Sequence, residues 1–272
     1  MASAEPDGKV SANGRMGRRA RWHISTESYL RAAVVIGFIA LIEALCRSGI
    51  IPHNTMIAPS SMLMNSIDIL HSGRFSHDIL TTFGNIIVAS ILSVLLGFGI
   101  GLALHAVPPA RRAVEPFLSA YYAVPTFIFY PVFIVVLGVG ARPIIAIAVL
   151  LAVVTMITAT LNGLDRMPTV LHKTALVMRL SPWRAALHIK LPATLPYLFT
   201  GVKLSVAYAF IGVIASEFIL SGSGIGYAIG YAYNNFQNGD MYGLMFIVLV
   251  SVTLVNVALN RIDRRFQLRR KR

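Results

Sequence analysis

Ionisable side chains that sit inside apolar sequence are few in this chain, and each one narrows the chemistry open to it. Glu217 lies in the run Val213-Ile214-Ala215-Ser216-Glu217-Phe218, where a carboxylate is costly unless it faces partners or a water-filled cavity. It reads as a pathway, gating or helix-packing residue, with Ser216, Ser221 or the first turn of a neighbouring helix as its partners. Lys203 stands 14 residues earlier, about 21 Å away along a helix, so the two cannot pair within one helix. Its aliphatic stem suits snorkelling toward the cytoplasm. Glu43, near the far end of the first apolar run, reads as solvated. His105, His172 and His188 have no carboxylate at i+3 or i+4, so no metal site is expected. A lone Cys46 excludes a disulfide framework. No G-x-x-x-x-G-K-[ST] phosphate loop occurs, so no nucleotide site and no bound cofactor are expected on this chain. Gly222-Ser223-Gly224-Ile225-Gly226 precedes no βαβ unit and reads as a turn, not a dinucleotide fingerprint. No catalytic set emerges.

The elements that must carry these residues follow from composition. The chain has 272 residues, 56% hydrophobic and 13% charged, with a mean hydropathy of +0.70. Soluble domains carry about 25% charged residues, so the deficit excludes disorder and argues strongly against a cytosolic enzyme. A membrane-spanning helix needs about 20 mostly apolar residues. Six such segments are read at about 30–46, 82–105, 117–139, 143–161, 195–220 and 241–260, which makes an all-α integral membrane protein. Pro125 and Pro131 kink the third segment, and kinked spans suit a translocation path. Gly97-x-x-x-Gly101 permits close helix approach, within the chain or across a dimer. A weakly amphipathic stretch at 59–77 suits a short helix lying at the outer interface.

Orientation comes from the distribution of charge. The net charge of +13 would fit nucleic acid only if the cations clustered on a soluble face. Instead nineteen lysines and arginines fall on one side of the six spans and three on the other. Such a bias places the cation-rich side, with both termini, in the cytoplasm. Nucleic acid therefore drops out. The domain reading is a mobile basic tail at 1–28, a membrane domain at 29–265 and a second basic tail at 266–272.

The longest internal cytoplasmic loop, 162–191, is the most informative stretch, because long ordered loops tend to be functional. It reads as two short helices, one near 170–180 and one over 182–189. Ser181-Pro182 supplies an N-cap and a proline at the first helical position. Trp183, Arg184, His188 and Lys190 stand among apolar neighbours such as Leu187 on the second helix. An aromatic residue with basic neighbours suits docking to another protein, and a helix lying on the membrane surface is the alternative. Leu191-Pro192 and Leu195-Pro196 are expected to end that helix.

Residues Lys173-Thr174-Ala175 through Ile189, Leu191 and Pro192 resemble the cytoplasmic loop of bacterial ABC-importer permeases. That motif reads E-A-A, three residues, G, nine residues, I, one residue, L-P. Ala175, Ile189, Leu191 and Pro192 match it, whereas Lys173, Thr174 and Arg179 stand where Glu, Ala and Gly are usual. The resemblance extends over about residues 30–265, and the branch is similar to nitrate, sulfonate, taurine and bicarbonate permeases. Thr81-Thr82, Gly97 to Gly101, Ala123-Val124-Pro125, and Val213 to Phe218 with Gly222 to Gly226 carry that likeness. It implies an inner-membrane permease, working as a pair of copies in lipid. The loop, with Ser181, Pro182, Trp183, Arg184 and Leu187 at its centre, would couple it to a separate ATPase that holds ATP and magnesium. An extracytoplasmic binding protein would deliver the solute, and Pro125 and Glu217 would be path or gate residues. A stand-alone secondary transporter is the rival reading, but no inverted repeat is visible. A permease for a thiamine-precursor pyrimidine is another.

Overall fold

The computed structural model describes residues 26–52 and 55–270. All its regular elements are helical: α1 (Thr26–Arg47), α2 (Pro59–Ser72), α3 (Ser76–Ala106), α4 (Pro108–Ala120), α5 (Tyr130–Leu137), α6 (Ala141–Asp165), α7 (Thr169–Val177), α8 (Pro182–Ala185), α9 (Leu191–Leu220), α10 (Ile225–Asn234) and α11 (Asn238–Arg270). Among the described residues, the helices long and apolar enough to cross a membrane are α3, α6, α9 with the turn before it, and α11. A bent pair of helices passes as a fifth span if it is counted as one. Most of the expected tail at 266–272 is helical, since α11 continues to Arg270. The tail expected at 1–28 falls almost wholly outside the described residues.

Helix α6 is the central post. In its most apolar window 61% of the residues are buried, against 11% in α11. Small residues on α3 and α9 let both helices close on it. A Cβ on Gly97 would come within 2.6 Å of the Met156 Cβ, and one on Gly101 within 2.7 Å of the Thr160 Cβ. The Gly97-x-x-x-Gly101 face thus packs inside the chain, against α6. On α9, Gly201 meets Ala159, and Gly212 meets the backbone of Ala148. Ile144, Ala148 and Ala152 of α6, Ile86 and Ala89 of α3, and Ala209, Phe210 and Val213 of α9 form the core between them. Ser205 and Thr155 join α9 to α6 by a buried hydroxyl contact of 2.8 Å.

The third expected span is not a kinked helix but a broken one. Pro108–Ala123 and Thr126–Leu137 meet at 99°. Proline disfavours helical backbone at the residue before it, and Val124, which precedes Pro125, is extended at φ −88°, ψ 121°. Pro131 falls in the first turn of α5, a position where a missing N–H costs nothing, so it starts a helix instead of bending one. Tyrosines brace the two arms: the Tyr121 hydroxyl donates to the Leu150 carbonyl at 2.9 Å, and the Tyr130 hydroxyl donates to the Leu220 carbonyl.

A second core lies beyond the three-helix centre. Ile69 of α2, Ile225, Ala228, Ile229 and Ala232 of α10, and Met241, Leu244 and Ile247 of α11 pack together. The stretch at 59–77 holds the expected short helix, and that helix has a packing partner. Its helix α2 is docked on α11, with Ser66 Oγ donating to the Gly243 carbonyl at 3.0 Å. Helix α10 has no counterpart in the sequence reading, because ten residues rich in glycine and tyrosine are too short to register as a span. Glu43 is not merely solvated either. Its carboxylate accepts from the Ser60 backbone N–H at 3.0 Å and from Ser60 Oγ at 2.7 Å. This caps the open N-terminus of α2 from α1.

Candidate functional site

Two polar groupings lie toward opposite ends of α9. The first surrounds Glu217, whose side chain is 0% exposed. Its Oε2 accepts from Thr82 Oγ1 at 2.6 Å and from the Gly226 backbone N–H at 3.2 Å. Its Oε1 accepts from Asn85 Nδ2 at 3.1 Å. Thr82 Oγ1 in turn accepts from the Ile225 N–H at 2.7 Å, and Asp78 Oδ1 accepts from the Gly224 N–H at 2.8 Å. The orphan N–H groups at the start of α10 are thus taken up by side chains of α3 and α9. A carboxylate at a helix N-terminus also gains from the helix dipole.

Glycine is required in this turn for two reasons. Gly224 sits at φ +100°, and a Cβ there would collide with the Glu217 carboxylate. A Cβ on Gly226 would run into the Ile214 carbonyl and approach the Glu217 Cβ at 2.6 Å. Of the partners expected for Glu217, the first turn of a neighbouring helix is present. Ser216 is not among them: its Oγ is buried without a hydrogen-bond partner. Ser221 Oγ donates to the Ser223 carbonyl instead. Asp78, Thr82 and Asn85 were missed. Their spacing of four and three residues puts them on one face of α3, which is the signal that could have found them.

The second grouping is the loop between α6 and α9. Helix α7 ends at Val177, and Arg179 adopts φ +49°, a left-handed conformation that non-glycine residues rarely hold. Ser181 Oγ then accepts from the Arg184 N–H at 3.4 Å, the geometry of an N-cap. The expected helix over 182–189 is helical throughout, but only its first turn, α8, is α-helical. Helix α8 ends at Ala185 and passes through a π turn, Ala186–Lys190, into α9. Pro192 lies in the first turn of α9 and Pro196 within it, so neither proline pair stops a helix. The His188 ring sits 3.2 Å from the Arg184 carbonyl through Nδ1, which must carry the proton to donate there. Lys173, Thr174, Arg179, Ser181, Arg184 and His188 are exposed, while Ile189, Lys190 and Leu191 are half-buried. The expected roles of the Ala175, Pro182, Trp183 and Leu187 side chains lie outside the described ones; Pro192 is exposed.

Charges near this end tie helices together. Arg111 makes a bidentate pair with Asp165 at 2.7 and 2.6 Å, and His105 Nδ1 lies 3.5 Å from the same carboxylate. Lys203 does not simply snorkel: its Nζ donates to Asp263 at 2.8 Å and to Asn260 at 3.3 Å, linking α9 to α11.

This architecture has known counterparts. Residues 93–272 match the binding-protein-dependent transport system inner membrane component family. The chain belongs to that family. It is a multi-pass inner-membrane permease component of an ABC transporter. Among relatives, the nitrate import permease protein NrtB of Leptolyngbya laminosa is 26% identical over 173 residues, 64% of this chain and 61% of that protein. The chain thus matches about three fifths of that relative's length. A probable ABC transporter permease protein of Haemophilus influenzae is 26% identical over 226 residues, 83% of this chain and 91% of that one. The bicarbonate transport system permease protein CmpB of a Synechocystis species is 24% identical over 230 residues, covering 81% and 82%. In fold the chain is similar to an inward-facing MetNI methionine ABC transporter, with a TM-score of 0.62 at 21% identity, covering 71% of this chain and 95% of that one. The family match takes in Glu217, the broken helix at Pro125 and the loop, whereas Asp78, Thr82 and Asn85 precede it.

Proposed function

We propose that this permease forms the translocation path of an ATP-driven importer for a small anion of the nitrate, sulfonate or taurine kind. The observation that carries this reading is the backbone of the loop. Arg179 holds a left-handed φ of +49° at the position where the resemblance calls for glycine, so the turn keeps the shape of the motif although its residue has changed. The I-x-L-P half, Ile189 to Pro192, then leads without interruption into α9. Relatives named for nitrate and bicarbonate support an anion, and selectivity would rest largely with a binding protein outside the membrane.

In this reading the chain has six spans with both termini in the cytoplasm, two copies enclose the path, and each docks one ATPase through α7 and α8. ATP and magnesium belong to that partner, and this chain hydrolyses nothing. Closure of the ATPase pair would move α8, and the π turn would pass that movement directly into α9. Glu217, near the far end of the same helix, would hold α10 in place as α9 moves, with Pro125 at the bend of the neighbouring broken helix. The test is an affinity purification of the tagged chain from detergent-solubilised native membrane, with the co-purifying subunits identified. An ATPase in one-to-one ratio with the permease is the expected result. A stable permease with no ATPase overturns the importer reading.

A further inference from the structure

From Arg166 to Ser216 the chain carries six cations and no acidic residue. Two of the six are engaged inside the chain: Lys203 with Asp263, and Arg166 over the Tyr197 ring at 5.8 Å. Lys173, Arg179, Arg184 and Lys190 form no ion pair among the described residues, and the first three are exposed. Elsewhere the cations divide: Arg47, Arg74 and Arg111 each meet a carboxylate of this chain, while Arg112, Arg142 and Arg261 form no ion pair among the described residues. The loop also exposes Val177 at 82% and Met178 at 61%, beside the strained Arg179. Backbone strain persists where the surrounding structure or a function holds it in place, and a bulky cation is an expensive occupant for a left-handed turn.

We propose that this loop docks in an ATPase groove lined by carboxylates, with Lys173, Arg179 and Arg184 as the counter-charges. The inference rests on the importer reading above. Complementary charge sets partner choice and register at interfaces. A surface whose charges are all positive selects an acidic partner and rejects a basic one. Anionic lipid would also attract cations, but lysines on relaxed backbone would serve a lipid surface equally well. The exposed Val177 and Met178 beside the charges fit the mixed apolar and charged face of a protein groove.

The experiment uses the full chain with its co-purified ATPase in phosphatidylcholine nanodiscs, treated with a carbodiimide that joins an amine to a carboxylate it touches. Peptide mapping should find Lys173 or Lys190 linked to an Asp or Glu of the ATPase, and Lys173→Gln should remove its own link. The double variant Lys173→Glu with Arg184→Glu should lower the ATPase retained about tenfold, with an unchanged elution profile for the permease itself. Failure of that variant to fold would leave the wild-type cross-links to decide. An ATPase that co-purifies with neither link nor sensitivity to the reversal overturns the acidic groove and leaves the importer reading standing. A charge effect that needs phosphatidylglycerol and vanishes in phosphatidylcholine also overturns it, and assigns the cations to lipid. A wild-type chain that brings down no ATPase removes the importer reading itself.

Discussion

At the Glu217 end a buried carboxylate meets donors from two other helices of its own chain, α3 and α10, whereas the loop's four cations meet no acid among the described residues. The first arrangement is closed: Thr82, Asn85 and Gly226 supply every contact that Glu217 needs. The second is open: Lys173, Arg179 and Arg184 stay exposed, and their proposed partner lies outside the chain. Polar groups that a fold uses for itself are buried and satisfied, while those kept for a partner stay solvated until the partner arrives. In the proposed reading, the difference separates a residue that holds the path together from residues that connect it to its motor.

The sharpest way to break this contrast is Glu217→Gln. An amide turns one acceptor into a donor, so one of the three donors around it loses its partner. A buried donor left unsatisfied costs about 1–3 kcal/mol, roughly a tenfold to hundredfold change in a local equilibrium. Amide hydrogen exchange at Gly224, Ile225 and Gly226 should rise by that factor, and solute uptake should fall with it. ATPase retention should not change, since the loop lies far from α10. Unaltered exchange and uptake would mean that Glu217 is a bystander in the packing.

Much of this contrast was legible before any coordinates. Apolar runs located the bodies of α3, α6, α9 and α11, because a bilayer permits little else than helix in such runs, although α3 starts earlier than its run and α11 continues well past its own to Arg270. Glu217 stood out because it interrupts one of them. Its partners did not stand out: threonine and asparagine in apolar sequence are cheap enough to look incidental, and only the packing of α3 on α9 brings them to it. The break at Val124-Pro125 was read as a kink, since proline alone does not say whether neighbouring helices will restore the lost hydrogen bonds. Helix α10 stayed hidden because a short buried helix has no period long enough to read. The π turn at Ala186–Lys190 leaves no mark in the sequence, and the prolines after it, which read as stops, sit inside α9.

A smaller effect sharpens the role of α6 as the common wall behind both regions. A Cβ on Gly212 would stand 2.7 Å from the Ala148 Cα, a backbone atom that cannot step aside alone. Gly212→Ala should therefore cost about 1–3 kcal/mol through overpacking. Gly99 on α3 has nothing within 4 Å, so Gly99→Ala should be neutral, or stabilising by about 0.5–1 kcal/mol as alanine replaces helical glycine. Thermal unfolding in detergent measures both. Equal midpoints for the two variants would mean that α9 does not lie against α6 as closely as described.

The smallest stability effect is expected at Arg179, and it bears most directly on the open region. Left-handed backbone costs a non-glycine residue about 1–2 kcal/mol. Glycine would relieve that strain but surrenders about 0.5–1 kcal/mol through its freer unfolded chain, so Arg179→Gly should gain no more than about 1.5 kcal/mol. Asparagine tolerates the same conformation without as much added freedom, which makes Arg179→Asn the cleaner probe. Both variants keep the turn and discard the cation. If the turn alone carries docking, as the glycine of the motif implies, ATPase retention stays at the wild-type level and the thermal midpoint rises slightly. If the charge is the reason an arginine occupies a strained position, the midpoint rises just the same while retention falls at low salt. Opposite movement of stability and retention at one exposed residue is the behaviour of a side chain kept for a partner, and no residue in the Glu217 cluster should show it.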